Sequence, residues 1–181
     1  MQHRGIHTRY ANASRGGLQV RAASGSGLRL SGYASVTGTP YEVNDWLGSY
    51  SETIARGAFS AALASYPDTR LLLNHDGIPL ARTTSGTLTL REFTLPNADP
   101  LGLGLTGLWV VAELDPNSGL ASDVRSALAR GDLSQMSFAF TTARDTWNSD
   151  YSSRTVNEIG ELPDVSLVTY PANGRTIATL G

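Results

Sequence analysis

Cysteine and lysine are both absent from the 181 residues of the chain. Without cysteine there can be no disulfide, thiol nucleophile, iron–sulfur cluster or cysteine-ligated zinc. All 14 basic residues are arginines, and arginine stays protonated, so Schiff-base lysines, Ser–Lys dyads and lysine general bases are excluded as well. These absences leave few routes to covalent catalysis.

Strong charge of either sign and long apolar runs are also missing. The formal net charge is −2, which gives no basic footprint for nucleic acid, so we expect no nucleic-acid partner. No apolar run approaches the roughly 18 residues that a membrane-spanning helix needs. With 40% apolar residues the chain can build a core, and we expect a soluble, intracellular protein with no membrane partner.

Histidine is scarce too. His3 and His7 lie in a polar start, which leaves His75 as the histidine of the patterned part of the chain. A centre built on several histidines is therefore excluded, and no acidic cluster suggests a magnesium or calcium site. We expect neither a metal nor another cofactor.

The pattern along the chain divides it into a flexible N-terminal arm, residues 1–26, and one domain, residues 27–181. The domain shows many short apolar or alternating runs typical of strands, and residues 39–52 have the composition of a loop. Two segments predict helices, one about 57–65 and one within 115–133, the second with Asp115 or Ser118 as its cap and Gly131 at its exit. This pattern predicts a mainly β (α+β) fold, a closed or nearly closed barrel with helices packed outside it.

A serine activated by His75 is the strongest catalytic option that these exclusions leave. His75 ends the apolar run LLLNH, and Ser137 lies between Met136 and Phe138 in an apolar strand, where a rigid element would hold its hydroxyl. Ser134, three residues earlier, is interpreted as a turn residue. By their spacing alone, a strand-end histidine satisfied by backbone groups and a buried structural serine are the commoner explanations of His75 and Ser137.

The order of several sequence blocks resembles the prohead maturation proteases of tailed bacteriophages, which are related in fold to herpesvirus assemblin. The blocks are GYASV at 32–36, ETIARGAF at 52–59, LLLNHD at 71–76, ARGDLSQMSFAF at 129–140 and DVSLVTYPAN at 164–173. The third resembles the family's histidine block and the fourth its nucleophile block, and they map onto His75 and Ser137. Two positions depart from the family pattern: Ala139 replaces a glycine, and Asp164 replaces a glutamate.

The resemblance implies a serine endopeptidase with an assemblin-like closed β-barrel, in which Ser137 is the nucleophile and His75 the general base. Its substrates would be the major capsid protein with its scaffolding segment and its own chain. Cleavage would take place inside the procapsid in the host cytoplasm or, for a prophage-encoded enzyme, in the bacterial cytoplasm, and self-association would be compatible with this. The third catalytic member stays open between Asp164, Glu161, Glu158 and no acid at all, with Asp164 favoured by the block match. Arg144 and Arg154 are weak candidates for stabilising an oxyanion.

Two other interpretations compete with this one. In the first, the chain is a catalytically inactive barrel that binds capsid or scaffold protein. In the second, it is an unrelated barrel that acts as a binding module. A separation of about 3–4 Å between the Ser137 hydroxyl and the His75 ring favours catalysis, and a separation beyond roughly 8 Å favours these two interpretations.

Overall fold

A computed structural model describes residues 7–10, 19–22, 28–45 and 48–169. This part of the chain contains thirteen strands, two α-helices and one short 3₁₀ helix. The strands are β1 (His7–Tyr10), β2 (Gln19–Ala22), β3 (Leu28–Val36), β4 (Tyr41–Asp45), β5 (Gly48–Ile54), β6 (Arg70–Leu73), β7 (Asp76–Arg82), β8 (Leu88–Phe93), β9 (Gly107–Leu114), β10 (Gln135–Phe140), β11 (Thr142–Trp147), β12 (Ser153–Ile159) and β13 (Asp164–Val168). The helices are α1 (Ser60–Ala64) and α2 (Gly119–Arg130), and the 3₁₀ helix is Pro96–Ala98.

The strands form three sheets. Their orders are β1-β10-β13-β6-β7, β11-β12-β5-β4 and β2-β3-β9-β8. Most neighbours are antiparallel, while β13 with β6 and β12 with β5 are parallel. The prediction of a mainly β fold with two helices is confirmed, and within the described ranges the sheets are three separate open ones.

Both helices lie where the periodicity predicts them. Ser118 caps α2 by accepting a hydrogen bond from the Ala121 amide at 3.3 Å, and Gly131 ends it with a φ of 77°. Positive φ is the conformation that glycine adopts without a steric cost, so the exit of α2 is fixed by sequence. Helix α1 is shorter than predicted and contains five residues.

The prediction of a loop over residues 39–52 is wrong, because β4 and β5 form an antiparallel hairpin there. Tyr41, Val43 and Tyr50 are buried on its inner face, with polar residues between them. Buried and exposed residues alternate as they do in a half-buried strand. The many polar residues of this segment made its composition resemble that of a loop. Tyr50 belongs to the main apolar core.

Two stretches of the predicted arm are also strands in the structure. β1 pairs with β10 and β2 pairs with β3, both antiparallel. The rest of residues 1–26 lies outside the described ranges, and the domain boundary at residue 26 stays a prediction.

Strand β10, which carries Ser137, is buried on both faces, and this burial fixes the position of Ser137. Met136, Phe138 and Phe140 point to the main core, where the Phe138 and Phe140 rings stack with centroids 5.1 Å apart. Ser137 and Ala139 on the opposite face are buried as well. A strand covered on both sides has little freedom to shift, because any slip exposes apolar area or buries polar groups.

A network centred on Asp99 shapes the segment between β8 and β9. The Asp99 carboxylate accepts hydrogen bonds from the Tyr33 hydroxyl and from the amides of Leu101, Leu103 and Leu105. Burial raises the pKa of Asp99, but these hydrogen bonds outweigh it and hold the pKa below its ordinary value. The Asp99 carboxylate thus accepts hydrogen bonds from three backbone amides of a segment that is not itself paired in a sheet.

A buried ion pair joins strands of the second sheet. Glu52 on β5 is fully buried, and its carboxylate lies 3.0 Å from Arg154 Nη1 on β12 and accepts the Tyr41 hydroxyl at 2.6 Å. The other guanidinium nitrogens of Arg154 donate to Asp145 and Thr142, each at 2.7 Å. Arg154 therefore has its charge and its donors committed to the interior of this sheet.

Arg154→Met should cost about 3–5 kcal/mol of unfolding free energy, because it leaves the Glu52 carboxylate buried and without its cation. Adding Glu52→Gln to Arg154→Met should recover part of that loss. Arg144→Met is the matched control, since the Arg144–Glu158 pair is exposed and should contribute less than about 1 kcal/mol. Urea denaturation of the variants tests this; equal losses at Arg144 and Arg154 would contradict it.

Candidate active site

The first sheet brings the predicted site residues together. Ser137 lies on β10, Asp164 on β13 and His75 in the turn between β6 and β7. β13 is paired on one side with β10 and on the other with β6. In the register Ser137 faces Ser166, and Asp164 lies two residues before Ser166, on the same face of β13.

His75 occupies a two-residue hairpin turn. Leu73 pairs with Asp76, so Asn74 and His75 form the whole turn, with φ values of 54° and 59°. Positive φ at both positions is the geometry of a type I′ turn, which usually carries glycine. Asparagine and histidine are among the few other residues enriched in this conformation.

Asn74 fastens this turn to the end of β13. Its amide donates to the Leu167 carbonyl at 2.8 Å, and its side-chain oxygen accepts the Thr169 amide at 2.8 Å. Its side-chain nitrogen donates to the Thr169 hydroxyl at 3.1 Å. These bonds offset the cost of the left-handed backbone, and they fix the position of the His75 backbone relative to β13.

The three predicted residues form one hydrogen-bonded chain. His75 Nε2 lies 2.7 Å from Ser137 Oγ, and His75 Nδ1 lies 2.5 Å from Asp164 Oδ1. An ionised carboxylate only accepts hydrogen bonds, so Nδ1 carries the proton and Nε2 offers its lone pair to the Ser137 hydroxyl. This tautomer is the one that a histidine needs to accept a proton from a serine.

The site is largely shielded from water. The His75 and Asp164 side chains are 14% and 13% exposed, and Ser137 is fully buried. Electrostatic interactions among these groups are therefore stronger than they would be at the surface.

Ser166 is a member of the cluster that the sequence interpretation missed. Its hydroxyl donates to Asp164 Oδ1 at 2.9 Å and accepts the His75 backbone amide at 3.2 Å, and it lies 3.2 Å from His75 Nδ1. It holds both the carboxylate and the turn that carries the imidazole. Its even spacing from Asp164 in DVSLV was the available signal, since alternate residues of a strand share a face.

The two other carboxylates considered as the third member are placed differently. Glu158 lies on β12 of the second sheet, 3.4 Å from Arg144. Glu161 is exposed between β12 and β13, and its amide donates to the Thr141 hydroxyl at 2.8 Å. Of the three, Asp164 is the carboxylate hydrogen-bonded to His75.

In the described part of the chain, no group of three or more histidine, aspartate or glutamate residues has an arrangement that could hold a metal ion. None of the helices described is long and apolar enough to cross a membrane.

A serine hydroxyl, an imidazole and a carboxylate in one hydrogen-bonded chain are the arrangement that serine proteases use. Residues 17–180 match the family model described as Caudovirus prohead serine protease. This chain therefore belongs to that family, and the resemblance seen in its sequence blocks is confirmed.

One individual relative agrees with this assignment, and one solved structure has a similar fold. The prohead protease of Enterobacteria phage HK97 is 29% identical over 143 residues, which are 78% of this chain and 55% of that protein. The chain thus spans little more than half the length of that relative. The capsid assembly protease gp21 of bacteriophage T4 has a similar fold, with a TM-score of 0.51, 12% identity and coverage of 90% of this chain and 96% of that one.

His75→Gly should be more stable than His75→Ala by about 1 kcal/mol, because both remove the imidazole and only alanine keeps the steric cost of positive φ. Thr89, an exposed residue of β8, supplies the control pair. There the glycine variant should be the less stable one, since glycine weakens a regular strand. Chemical denaturation of the four variants measures both differences; the same sign at both positions would contradict the turn geometry.

Proposed function

We propose that this chain is a serine endopeptidase that cleaves capsid-assembly proteins during phage head maturation. The observation that carries the proposal is the hydrogen-bonded chain from Asp164 through His75 to Ser137, in a member of the prohead serine protease family. The proposed substrates are the major capsid protein with its scaffolding segment and the protease's own chain, inside the procapsid in the host cytoplasm.

In the proposed mechanism, Ser137 Oγ attacks the carbonyl carbon of the scissile peptide bond while its proton passes to His75 Nε2. The tetrahedral intermediate collapses as His75 returns that proton to the leaving amine nitrogen, which releases one product and leaves an ester on Ser137. A water molecule then attacks the ester, with His75 again accepting and returning the proton. Ser137 is regenerated and the second product leaves with a carboxylate.

Asp164 has two tasks in this mechanism. Its hydrogen bond to Nδ1 selects the tautomer that leaves Nε2 free to accept the proton, and its charge stabilises the imidazolium that forms. Ser166 would act as a positioning residue, because it holds the carboxylate oxygen that faces Nδ1. The aspartate reaches His75 directly at 2.5 Å, so the shorter side chain at the family's glutamate position is compatible with this task.

We further propose that the three sheets belong to an assemblin-like barrel. Contacts between β10 of the first sheet and β3 of the third bring these two sheets side by side. Buried residues of all three sheets, among them Leu30, Ile54 and Phe138, share one apolar core. A common core enclosed by sheets is what a barrel architecture requires.

Ser137→Ala should abolish cleavage of the capsid precursor while the fold is kept, because the substitution removes one hydroxyl and leaves only a small void. Ser134→Ala is the matched control and should keep most of the activity, since Ser134 precedes β10 and is outside the hydrogen-bonded chain. Co-expression of each variant with the major capsid protein of the same phage, followed by intact-mass analysis of both chains, measures cleavage. If wild type and Ser137→Ala leave the capsid protein equally intact but bind it, the inactive, capsid-binding interpretation replaces this proposal.

Asp164→Asn should reduce turnover by about 10⁴, because the amide favours the imidazole tautomer that cannot accept the serine proton. Its thermal stability should change little, since the side-chain volume is kept. Glu161→Gln and Glu158→Gln, assayed on the same substrate, should each stay within about tenfold of wild type. Collapse of either glutamine variant, with Asp164→Asn nearly unaffected, would move the orienting role to that glutamate.

A further inference from the structure

The strand that carries Ser137 has a neighbour on each side. β13 pairs with Gln135–Ala139 of β10 along one edge, and β1 pairs with Ser137–Phe140 along the other. β1 is the outermost strand of this sheet, and its register places Tyr10 opposite Ser137 and His7 opposite Phe140. Without β1, the backbone of β10 from Ser137 onward would be an open edge.

An open edge beside the nucleophile is where a peptide substrate can bind. Extended peptides add to exposed sheet edges through backbone hydrogen bonds, which tolerate many side chains. The edge facing β13 cannot serve, because β13 carries Asp164 and Ser166 and must stay paired to hold the site together. The edge that β1 occupies is therefore the one available to an extended peptide.

The burial of Ser137 agrees with an occupied site. Its hydrogen bond to His75 is formed at 2.7 Å, yet the residue has no exposed surface. A peptide carbonyl must come into contact with Oγ before attack can occur. Some part of the surroundings must therefore move before any substrate can react.

We propose that β1 is a built-in occupant of the substrate-binding edge, and that an extended peptide substrate pairs antiparallel with Ser137–Phe140 in its place. This inference rests on the proposed function. The N-terminal segment then acts as a competitive inhibitor in cis, and the protease gains activity when β1 is displaced. Because β1 is tethered to the same chain, its effective concentration at the edge is high, in the millimolar range typical of short linkers, so isolated peptides compete poorly with it.

The alternating direction of the backbone amides along β1 provides a matched pair of variants in the full chain. Neighbouring residues of a strand direct their amides to opposite sides, so of Thr8 and Arg9 one donates towards β10 and the other away from it. Proline at the inward position removes a ladder hydrogen bond, while an edge strand tolerates it at the outward position. Thr8→Pro and Arg9→Pro therefore form a pair in which one variant frees the edge and the other serves as its control.

The readout is the rate at which a fluorophosphonate probe labels Ser137 in full-length wild type, Thr8→Pro and Arg9→Pro. We expect one proline variant to be labelled about tenfold faster than wild type, the change expected when a strand loses a backbone hydrogen bond, and the other to match wild type. A synthetic peptide spanning residues 5–12, added in trans, should slow labelling of the faster variant and leave wild type unchanged. Far-UV circular dichroism confirms that both variants keep the fold.

Equal labelling of all three chains, or no effect of the peptide on the faster variant, would overturn the role of β1 while leaving the protease assignment intact. Absence of labelling in all three, at a probe concentration that labels a standard serine protease, would instead overturn the proposed function and this inference with it. Both proline variants labelling faster to the same extent would also contradict the pairing, because the alternation of β1 allows only one inward amide of the two.

Discussion

The register between β10 and β13 is the constraint on which the site depends. It sets Ser137 opposite Ser166, and therefore on the same face as Asp164. A slip of β10 by one residue along β13 would turn Ser137 to the other face of the sheet, away from Asp164 and His75. The register is held because both strands are buried, with Phe138 and Val165 among the fully or nearly fully buried residues, so the packing of the core also aligns the site.

The second requirement is a turn that few residues can adopt. A left-handed backbone at Asn74 and His75 costs of order 1–3 kcal/mol at each position, and the bonds of Asn74 to Leu167 and Thr169 offset part of it. In return, the tight turn reverses the chain directly above β13. The imidazole thereby reaches both Asp164 on β13 and Ser137 on β10. A longer and more mobile loop would hold it between these two strands less accurately.

Features that follow from local sequence patterns could be predicted. Features that depend on contacts between residues far apart in the sequence were missed. The capped helix α2, the alternation of β10 and the meeting of Ser137 with His75 followed from periodicity and sequence blocks. The β4–β5 hairpin was missed because polar residues separate its buried Tyr41, Val43 and Tyr50. The burial of Glu52 was missed because its partner, Arg154, is 102 residues away in sequence. Ser166 and β1 were missed for a similar reason: a strand serine and a polar edge segment acquire their importance only from what lies opposite them.

Two carboxylates, those of Glu52 and Asp164, illustrate a division between stabilising groups and proposed catalytic groups in this fold. Glu52 faces Arg154, a cation at every relevant pH, so its charge is balanced permanently and serves to join β5 to β12. Asp164 faces His75, an imidazole that in the proposed mechanism carries a positive charge once it has accepted the Ser137 proton. In that mechanism the attraction at Asp164 is strongest in the transition state, which is the condition for a group to accelerate a reaction instead of only holding the fold. The Glu52–Arg154 pair lies in the second sheet, whereas the Asp164–His75 pair, whose charge balance would change during the proposed reaction, lies beside Ser137 at the first.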